Sequence, residues 1–255
     1  MHRWSGRVAL VTGASEGIGE AISRLLVKHD MKVVGCARNL DKLKAIDGEL
    51  KKEEGGSFFP IQCDLTQRDQ IYAMFEKIKT HHGGVDVCIN NAGMAYPSSL
   101  LDGTPEEWQK SLDLNVIALC LCTKLSVQQM KERGVDDGHI ILLNSMGGHR
   151  LIQGSNYLHF YAGTKHMVKA LTEGYRDELR QKNSKIRVSA LSPGLVESEF
   201  VVRLFGDDPD KGRKVLQTTP CLKREDVAEL VVMVMQQPPN VQIHDILVRD
   251  TDQVK

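Results

Sequence analysis

The sequence predicts an α/β fold: a single doubly wound domain with a seven-stranded parallel sheet and helices on both faces. Apolar strand-like runs alternate with longer helix-like stretches along all 255 residues, and this β-α-β-α order is typical of a parallel sheet. The runs are nearly continuously apolar, which indicates strands buried on both faces. Right-handed crossovers then place helices on both sides of the sheet. The length suits one large α/β domain, which we expect to span residues 1–255.

The predicted elements follow one another without a linker, a low-complexity tract or an internal repeat. Helical periodicity or charged helical sequence covers residues 17–29, the stretch up to residue 54, and residues 115–133 and 161–183. The segment 195–205, after the sixth strand, is strongly apolar and could fold over a pocket as a lid. Alternatively, its side chains merely pack a helix onto the core. The seven strands are predicted at residues 8–12, 32–37, 58–62, 85–90, 139–143, 186–191 and 241–248.

Composition and charge exclude several classes of function. Lys plus Arg and Asp plus Glu are both 33, so the net charge of zero gives no reason to expect nucleic acid or an anionic membrane as a partner. No stretch approaches ~18 unbroken apolar residues, and we expect no membrane span. The start lacks a secretory signal, and the six cysteines form no C-x-x-C pair, which favours reduced thiols in a cytoplasmic protein. No spacing typical of metal ligands joins His149, His159 and His166, so no metal site is expected.

A glycine-rich loop lies between the first strand and the first helix. Its spacing is G-x-x-x-G-x-G over residues 13–19. Glycines allow a sharp turn and close approach to a pyrophosphate, while the helix N-terminus supplies free N–H groups, as in Rossmann-type dinucleotide-binding folds. The alternative is a tight turn without a ligand. The residues expected to contact a cofactor here are Gly13, Ser15, Glu16, Gly17, Ile18 and Gly19.

The end of the second strand indicates which dinucleotide fits. Arg38 stands there without a carboxylate at the strand tip. An acidic residue would bind the 2′-hydroxyl of NAD, whereas an arginine accepts the 2′-phosphate of NADP. The sequence therefore favours NADP, although Arg38 could be an ordinary surface residue and the carboxylate of Glu16 would not help a phosphate. Further cofactor contacts are expected from residues at the ends of the second, third and fourth strands, namely Arg38, Asn39, Asp64, Leu65, Asn91, Ala92 and Gly93.

Tyr161 and Lys165 stand four residues apart and would share one face of a helix. An ammonium beside a phenol favours the phenolate, so we expect a lowered pKa for Tyr161. Such a pair also arises by chance. Two competitors lie in the preceding loop: Tyr157, which has no lysine four residues later, and Ser155. Ser145 is preferred to Ser155 because it follows the fifth strand, and ligands bind at the carboxyl ends of such strands.

These residues together resemble the short-chain dehydrogenases/reductases. The resemblance covers nearly the whole chain, with the motifs in the family's order at compatible spacings. The interval between Ser145 and Tyr161 is longer than in many members, which would alter the rim of the pocket. The motifs concerned are the glycine loop at residues 12–19, Asp64, residues 90–93, Asn115, Ser145, Tyr161, Lys165 and residues 192–194.

The resemblance implies a role for each residue. Tyr161 would be the general acid in carbonyl reduction and the general base in alcohol oxidation. Lys165 would lower the pKa of Tyr161 and bind the nicotinamide ribose, and Ser145 would polarise the substrate carbonyl. Asn115 would position a water linked to Lys165; taken alone, it could equally be a residue that caps or kinks a helix. The loop that would close over the nicotinamide contains Pro193, Gly194, Val196 and Ser198.

The expected activity is that of an NADP-dependent oxidoreductase. The apolar lid, with Met94 and Met146 nearby, suggests a hydrophobic substrate such as a ketosteroid, a farnesol-like isoprenoid alcohol or a xenobiotic ketone. The alternative is a non-catalytic dinucleotide-binding redox sensor. In related enzymes helices equivalent to 115–133 and 161–183 form subunit contacts, which suggests a homodimer or homotetramer. The apolar residues expected at that contact include Leu119, Leu121, Leu171 and Tyr175.

Overall fold

The computed structural model describes residues 1–152, 154–206 and 208–253. Gln153, Asp207, Val254 and Lys255 lie outside the described residues, so the expected domain span of 1–255 is described except at these four positions. Within the described part of the chain, parallel strands form one seven-stranded sheet in the order β3-β2-β1-β4-β5-β6-β7. The predicted fold class is confirmed. The strands are β1 Val8–Thr12, β2 Lys32–Ala37, β3 Ser57–Gln62, β4 Val87–Asn90, β5 His139–Leu143, β6 Arg187–Pro193 and β7 Asp245–Val248.

Helices connect the strands and cover both faces of the sheet. The buried apolar residues form two clusters, one beneath α1, α2 and α9 and the other beneath α3, α5 and α6. The strand order reverses between β1 and β4, the switch point at which open α/β sheets bind ligands. The helices are α1 Gly17–Lys28, α2 Leu40–Leu50, α3 Arg68–His82, α4 Pro105–Leu112, α5 Leu119–Glu132, α6 His159–Gln181, α7 Glu199–Leu204, α8 Pro209–Thr218 and α9 Arg224–Gln236.

The last strand is shorter than predicted. It begins at Asp245 rather than at residue 241. Just before it, the polar groups of the chain bond to β6 in other ways: the side chain of Gln242 accepts from the backbone N–H of Val188 at 2.8 Å, and the Ser189 hydroxyl donates to the Ile243 carbonyl at 2.6 Å. Side-chain bonds thus replace part of the strand ladder, and an apolar pattern alone cannot distinguish the two arrangements.

The segment that joins β4 to β5 meets the criteria for a membrane-spanning helix by length and composition. It covers Pro105–Glu132, with a mean hydropathy of 1.2 over its best window. The segment is not an unbroken apolar run, because Asp113, Asn115 and Lys124 interrupt it, so the absence of a membrane span stays a prediction. In this fold the segment is a crossover helix: 44% of that window is buried, and Val116, Leu119 and Cys122 are core residues. A core helix of this kind passes the same test without crossing a membrane.

The residues expected at a subunit contact are mostly used within the chain. Leu119 is buried, and Leu121 and Tyr175 pack against the same core cluster. Leu119 is therefore a core residue and not part of a free surface, because a helix between a sheet and a neighbouring helix buries more than one stripe. Leu121 and Tyr175 are only partly buried, and the subunit contact stays a prediction. The large apolar residues that α6 and the turn before α5 do expose are Met167 and Ile117, at 46% and 41% of full exposure.

Candidate active site

The glycine loop forms a close turn at the carboxyl end of β1. Gly13 and Gly17 have positive φ angles of 67° and 60°, which glycine adopts without strain. A Cβ on Gly19 would lie 2.3 Å from the Gly13 carbonyl oxygen, so this position excludes larger residues. Among the described residues, no side chain caps the N-terminus of α1 at Glu16. The loop therefore presents open backbone N–H groups, as a phosphate-binding turn requires.

Thr12 joins the glycine loop to the loop after β4. Its hydroxyl oxygen accepts the backbone N–H groups of Asn91 and Ala92 at 2.9 and 3.0 Å. The side chain of Asn91 donates to the carbonyl oxygens of Thr12 and Gly13 at 2.8 and 3.2 Å. The two loops that border the switch point are thus one connected unit. Sequence analysis included Thr12 in the glycine-loop motif but assigned it no contact, because its partners come from a loop about 80 residues later.

Glu16 in the glycine loop contacts two cations from different elements. Lys42 in the first turn of α2 donates to one carboxylate oxygen at 2.6 Å, and Arg203 at the end of α7 pairs with the other. Desolvation lowers the pKa of Arg203. The carboxylate that argued against a nearby phosphate is therefore neutralised by its partners. Neither cation was predicted, since both pairings join residues far apart in the sequence.

The predicted contacts at the ends of β2 and β3 lie at the same edge of the sheet. Arg38 and Asn39 are exposed. Asn39 caps α2 by accepting the backbone N–H of Lys42 at 3.0 Å. Asp64 accepts both the backbone N–H and the hydroxyl of Thr66, at 2.9 and 2.8 Å, and the following Leu65 is buried. Among these residues, Arg38 has a charged side chain that is exposed to solvent at the edge of the sheet that carries the glycine loop.

Ser145, Tyr161 and Lys165 come together at the carboxyl end of β5. Ser145 follows that strand; its hydroxyl accepts the backbone N–H of Gly147 at 3.0 Å and acts on the Tyr161 phenol so as to lower its pKa. Tyr161 and Lys165 lie on α6, with the Lys165 Nζ 5.7 Å from the centre of the phenol ring. The competitor Tyr157 instead packs edge-on against Phe205 of the lid, at 5.6 Å between ring centres.

The pKa of Tyr161 moves in the opposite direction from the one expected. Desolvation raises it to about 12, and Ser145 opposes this rise. Desolvation also lowers the pKa of Lys165 to about 8. The pKa of Tyr161 therefore rises because the phenol itself is desolvated. Lys165 is only 4% exposed, and its Nζ donates to the Leu143 carbonyl at 2.6 Å. In the free chain Tyr161 is therefore a protonated phenol at neutral pH.

Asn115 lies in a π-helical segment, Asp113–Ala118, between α4 and α5. π-Helical segments are rare in proteins overall, and those that do occur are often found at functional sites. Its side chain accepts the backbone N–H of Met94 at 2.9 Å and donates to the Met94 carbonyl and the Thr164 hydroxyl, at 2.8 and 3.1 Å. A Cβ on Gly93 would lie 3.5 Å from Asn115 Oδ1 and 4.0 Å from Lys165 Nζ. Asn115 thus joins the β4 loop to α6 beside Lys165.

The loop predicted to close over the nicotinamide, residues 193–198, lies next to the glycine loop. Pro193 ends β6, and the backbone N–H of Gly194 donates to Val248 at 2.7 Å. Val196 is buried, and Ser198 stands at the N-terminus of α7. A Cβ on Gly17 would lie 3.4 Å from Ser198 Cβ, so this loop and the glycine loop are in close proximity.

Aromatic side chains surround the phenol. Phe200 on α7 packs against Tyr161 with 5.5 Å between ring centres, and Trp108 stacks on Phe160 at 5.6 Å. A small pocket beside Tyr161 is lined by Tyr96, Trp108 and Phe160 and also by Ser98, Glu107 and Ser111. Sequence reasoning placed Phe200 in the lid but missed Trp108 on α4, which belongs to none of the motifs. Aromatic rings therefore surround the phenol, together with three polar side chains at the pocket.

Comparison with known proteins agrees with this geometry. Residues 7–208 match the family described as short chain dehydrogenase. The chain is 51% identical to dehydrogenase/reductase SDR family member 11 of Gallus gallus over the full length of both, and 38% identical to farnesol dehydrogenase of Aedes aegypti over 98% of each. An alcohol dehydrogenase from Thermococcus sibiricus, solved with 5-hydroxy-NADP, superposes with a TM-score of 0.84 at 27% identity, over 98% of this chain and 99% of that one. This chain belongs to the short-chain dehydrogenase family.

Proposed function

We propose that the protein is an NADP-dependent oxidoreductase that interconverts a hydrophobic alcohol and its carbonyl compound. One observation carries the proposal: Ser145, Tyr161 and Lys165 converge at the carboxyl end of β5, the strand next to the switch point between β1 and β4. This arrangement combines a proton-transfer site with a glycine cradle. The names of the relatives, a dehydrogenase/reductase and a farnesol dehydrogenase, support the same reaction class.

The chain's residues fit a dinucleotide phosphate. The turn at Gly13 and Gly17, the open N-terminus of α1 and the space kept by Gly19 match the needs of a pyrophosphate. Arg38 supplies positive charge at the end of β2 for a 2′-phosphate, whereas the charge of Lys42 is paired with Glu16. When bound, NADP(H) supplies or accepts the hydride. The proposed contacts also include Ser15, Glu16, Ile18, Asn39, Asp64, Leu65, Asn91, Ala92, Gly93, Tyr161, Lys165, Pro193, Gly194, Val196 and Ser198.

We assign the proton transfer to Tyr161. Its pKa of about 12 keeps the phenol protonated at neutral pH, so it can donate a proton to the oxygen of a carbonyl as that oxygen becomes an alcohol. Ser145 would donate a hydrogen bond to the same oxygen while negative charge develops on it. The ammonium of Lys165 faces the ring and would stabilise the phenolate left behind. Asn115 would maintain the β4 loop and α6 in their relative positions.

The surroundings of Tyr161 favour a hydrophobic substrate. Phe200 covers one side of the phenol, and Trp108 and Phe160 line the adjacent pocket. Apolar walls of this kind bind the hydrocarbon part of a ligand, while a few polar groups orient it. We therefore propose a ketosteroid, a farnesol-like isoprenoid alcohol or a xenobiotic ketone as the substrate class.

An absorbance assay tests the proposal. The purified protein is incubated with NADPH or NADP and a panel of ketosteroids, farnesol, and small polar carbonyl compounds. The proposal predicts turnover of the hydrophobic compounds and its loss in Tyr161→Phe, with NADPH binding retained. Turnover of small polar carbonyls alone would contradict the substrate class. NADPH binding without any turnover across the panel would instead favour a redox sensor.

We further propose that the protein works as a homodimer or homotetramer in the cytoplasm. Met167 on α6 and Ile117 beside α5 are large apolar residues that remain exposed in the single chain. Exposed apolar residues on neighbouring helices are typical of subunit contacts. A mass near 28.4 kDa by light scattering at micromolar concentration would contradict the oligomer.

A further inference from the structure

His149 lies at the end of the short turn that follows Ser145, and it contacts three other elements. Its Nε2 is 2.9 Å from Asp245 Oδ2 on β7 and 3.0 Å from Ser192 Oγ on β6. Its Nδ1 is 3.3 Å from Lys169 Nζ on α6. The ring is partly buried, with its side chain 20% exposed. This histidine therefore connects the turn after Ser145 to two strands and to the helix that carries Tyr161.

The partners determine where the protons lie. Lys169 can only donate, so the Nδ1 of His149 accepts, and the ring proton is on Nε2. That N–H donates to Asp245 or to Ser192. The Ser192 hydroxyl donates to the other oxygen of Asp245 at 2.7 Å, and Asn144 donates to Ser192 Oγ at 3.3 Å. The Nε2–H is shared between two acceptors, Asp245 and Ser192, and each of the other three contacts has its own donor and acceptor, so a neutral His149 is compatible with the network.

The same geometry excludes a hydrolytic triad. In such a triad the carboxylate and the serine bind different nitrogens of the histidine. Here Asp245 and Ser192 share Nε2, and the proton of Ser192 is given to Asp245. Ser192 is also fully buried, out of reach of a substrate. The network therefore positions other groups and does not perform nucleophilic chemistry.

The turn that His149 holds determines the position of Ser145. The backbone N–H of Gly147 donates to Ser145 Oγ at 3.0 Å, which orients the hydroxyl. Gly148 is pressed against its neighbours: a Cβ there would lie 2.6 Å from Asn144 Nδ2 and 2.8 Å from the Lys165 carbonyl oxygen. A displaced turn would consequently move Ser145 relative to Tyr161 and α6.

We propose that His149, neutral and protonated at Nε2, is the positioning residue that holds the Ser145 hydroxyl in its productive place next to Tyr161. The proposal rests on the proposed oxidoreductase function for its kinetic consequence. It places the effect of His149 on the chemical step, because the described contacts of His149 join the turn after Ser145 to β6, β7 and α6 and include none with the glycine loop. Asp245 and Ser192 act as its anchors, and Lys169 selects the tautomer.

Two variants of His149 test this role in the full-length protein. His149→Phe keeps a flat ring but removes both nitrogens, and we expect kcat to fall about 10- to 100-fold, as for other small misplacements of a reacting group, with the KM for NADPH unchanged. His149→Gln retains a donor toward Asp245, and we expect it to recover most of kcat. His166→Phe is the matched control, since His166 is exposed and, within the described part of the chain, its side chain bonds to the Ala162 carbonyl of its own helix alone.

A spectroscopic measurement tests the network without turnover. Long-range ¹H–¹⁵N NMR spectra distinguish the two ring nitrogens, and we expect a protonated Nε2 and a bare Nδ1 at neutral pH. In Lys169→Met, which alters an exposed residue and should fold, we expect a mixture of tautomers. A protonated Nδ1 in the unaltered protein would overturn the proposal.

The two arms separate the possible failures. An unaltered kcat in a folded His149→Phe, or an equal loss in His149→Gln, would overturn the positioning role. If His149→Phe does not fold, the Gln variant and the NMR spectrum still decide. A protein that turns over no carbonyl compound refutes the oxidoreductase function alone, while the tautomer measurement continues to support or overturn the network.

Discussion

The proton-transfer residues Ser145, Tyr161 and Lys165 and the cofactor-binding residues at the end of β2 differ in their exposure to water. Ser145 and Lys165 are almost fully buried, and the pKa values of Tyr161 and Lys165 are shifted by desolvation. Arg38, at the end of β2, is exposed, and so is Lys42 at the start of α2, which pairs with Glu16. Burial shifts the pKa values of the first region, whereas exposure leaves the guanidinium of Arg38 accessible to a charged group. Changes in the first should therefore affect the chemical step, and changes in the second should affect cofactor choice.

The largest effect is expected from Tyr161→Phe, which removes the proton but keeps the ring against Phe200. General acid catalysis is worth about 10²- to 10⁴-fold, so we expect a loss of that size in kcat for carbonyl reduction. NADPH binding, measured by fluorescence, should be unchanged. Tyr157→Phe is the matched control, because that phenol lies against the lid. An equal loss of kcat in Tyr157→Phe would contradict the assignment of proton transfer to Tyr161 alone.

The pH dependence should reveal the buried lysine. Desolvation lowers the pKa of Lys165 to about 8, so its ammonium is charged below that pH and neutral above it. Tyr161 stays protonated over this range because its pKa is about 12. We expect kcat/KM for carbonyl reduction to fall as pH rises through about 8, approaching about tenfold per pH unit. Rates measured from pH 6 to 10 that stay constant would contradict a role for the charged lysine.

Arg38→Ala tests the exposed region. Hydrogen bonds to charged groups are worth about 1.5–3 kcal/mol, so the KM for NADPH should rise about 10- to 100-fold. The KM for NADH and the kcat should change little, since the residue is far from Tyr161 in the sheet order. Lys44→Ala, at another exposed cation of α2, serves as the control. An equal rise in the KM values for NADPH and NADH would show that Arg38 does not bind the 2′-phosphate.

The smallest effect is expected from Glu16→Gln, which weakens the contacts of the glycine loop with α2 and α7. Lys42 and Arg203 are half-exposed, and pairs of this kind contribute about 0.2–1 kcal/mol. We expect the free energy of unfolding in urea to fall by no more than about 1 kcal/mol. Added salt should reduce the difference from the unaltered protein. A larger loss of unfolding free energy that does not depend on salt would show that the ion pairs of Glu16 behave as buried pairs.

Much of the fold could be predicted from local patterns. The strands β1, β2 and β5 begin and end where the apolar runs do, because a strand buried on both faces leaves a continuous apolar signal. The predictions were wrong where side chains replace backbone pairing. Val85 was assigned to a strand because it is apolar, yet its backbone N–H donates to Gln129 at 3.2 Å and the strand begins two residues later.

Part of the candidate site could also be predicted from local sequence patterns. Ser145, Tyr161 and Lys165 were identified from their order and position after strands. Their electrostatic state could not be predicted, since the direction of a pKa shift depends on how much water each group loses and which partners it meets. The expected lowering of the Tyr161 pKa was wrong because desolvation of the phenol raises it and exceeds the opposing effect of Ser145.

The sequence by itself determined the α/β class, the glycine turn and the residue types for hydride and proton transfer. These depend on short-range spacing, strand periodicity and the order of motifs along the chain. Only the tertiary structure decided that Glu16 meets Arg203 and that His149 meets Asp245, residues separated by 187 and 96 positions. Such contacts depend on how β6, β7 and the lid pack against the other elements. Long-range packing therefore determines the protonation and orientation of groups whose identity the local sequence already supplies.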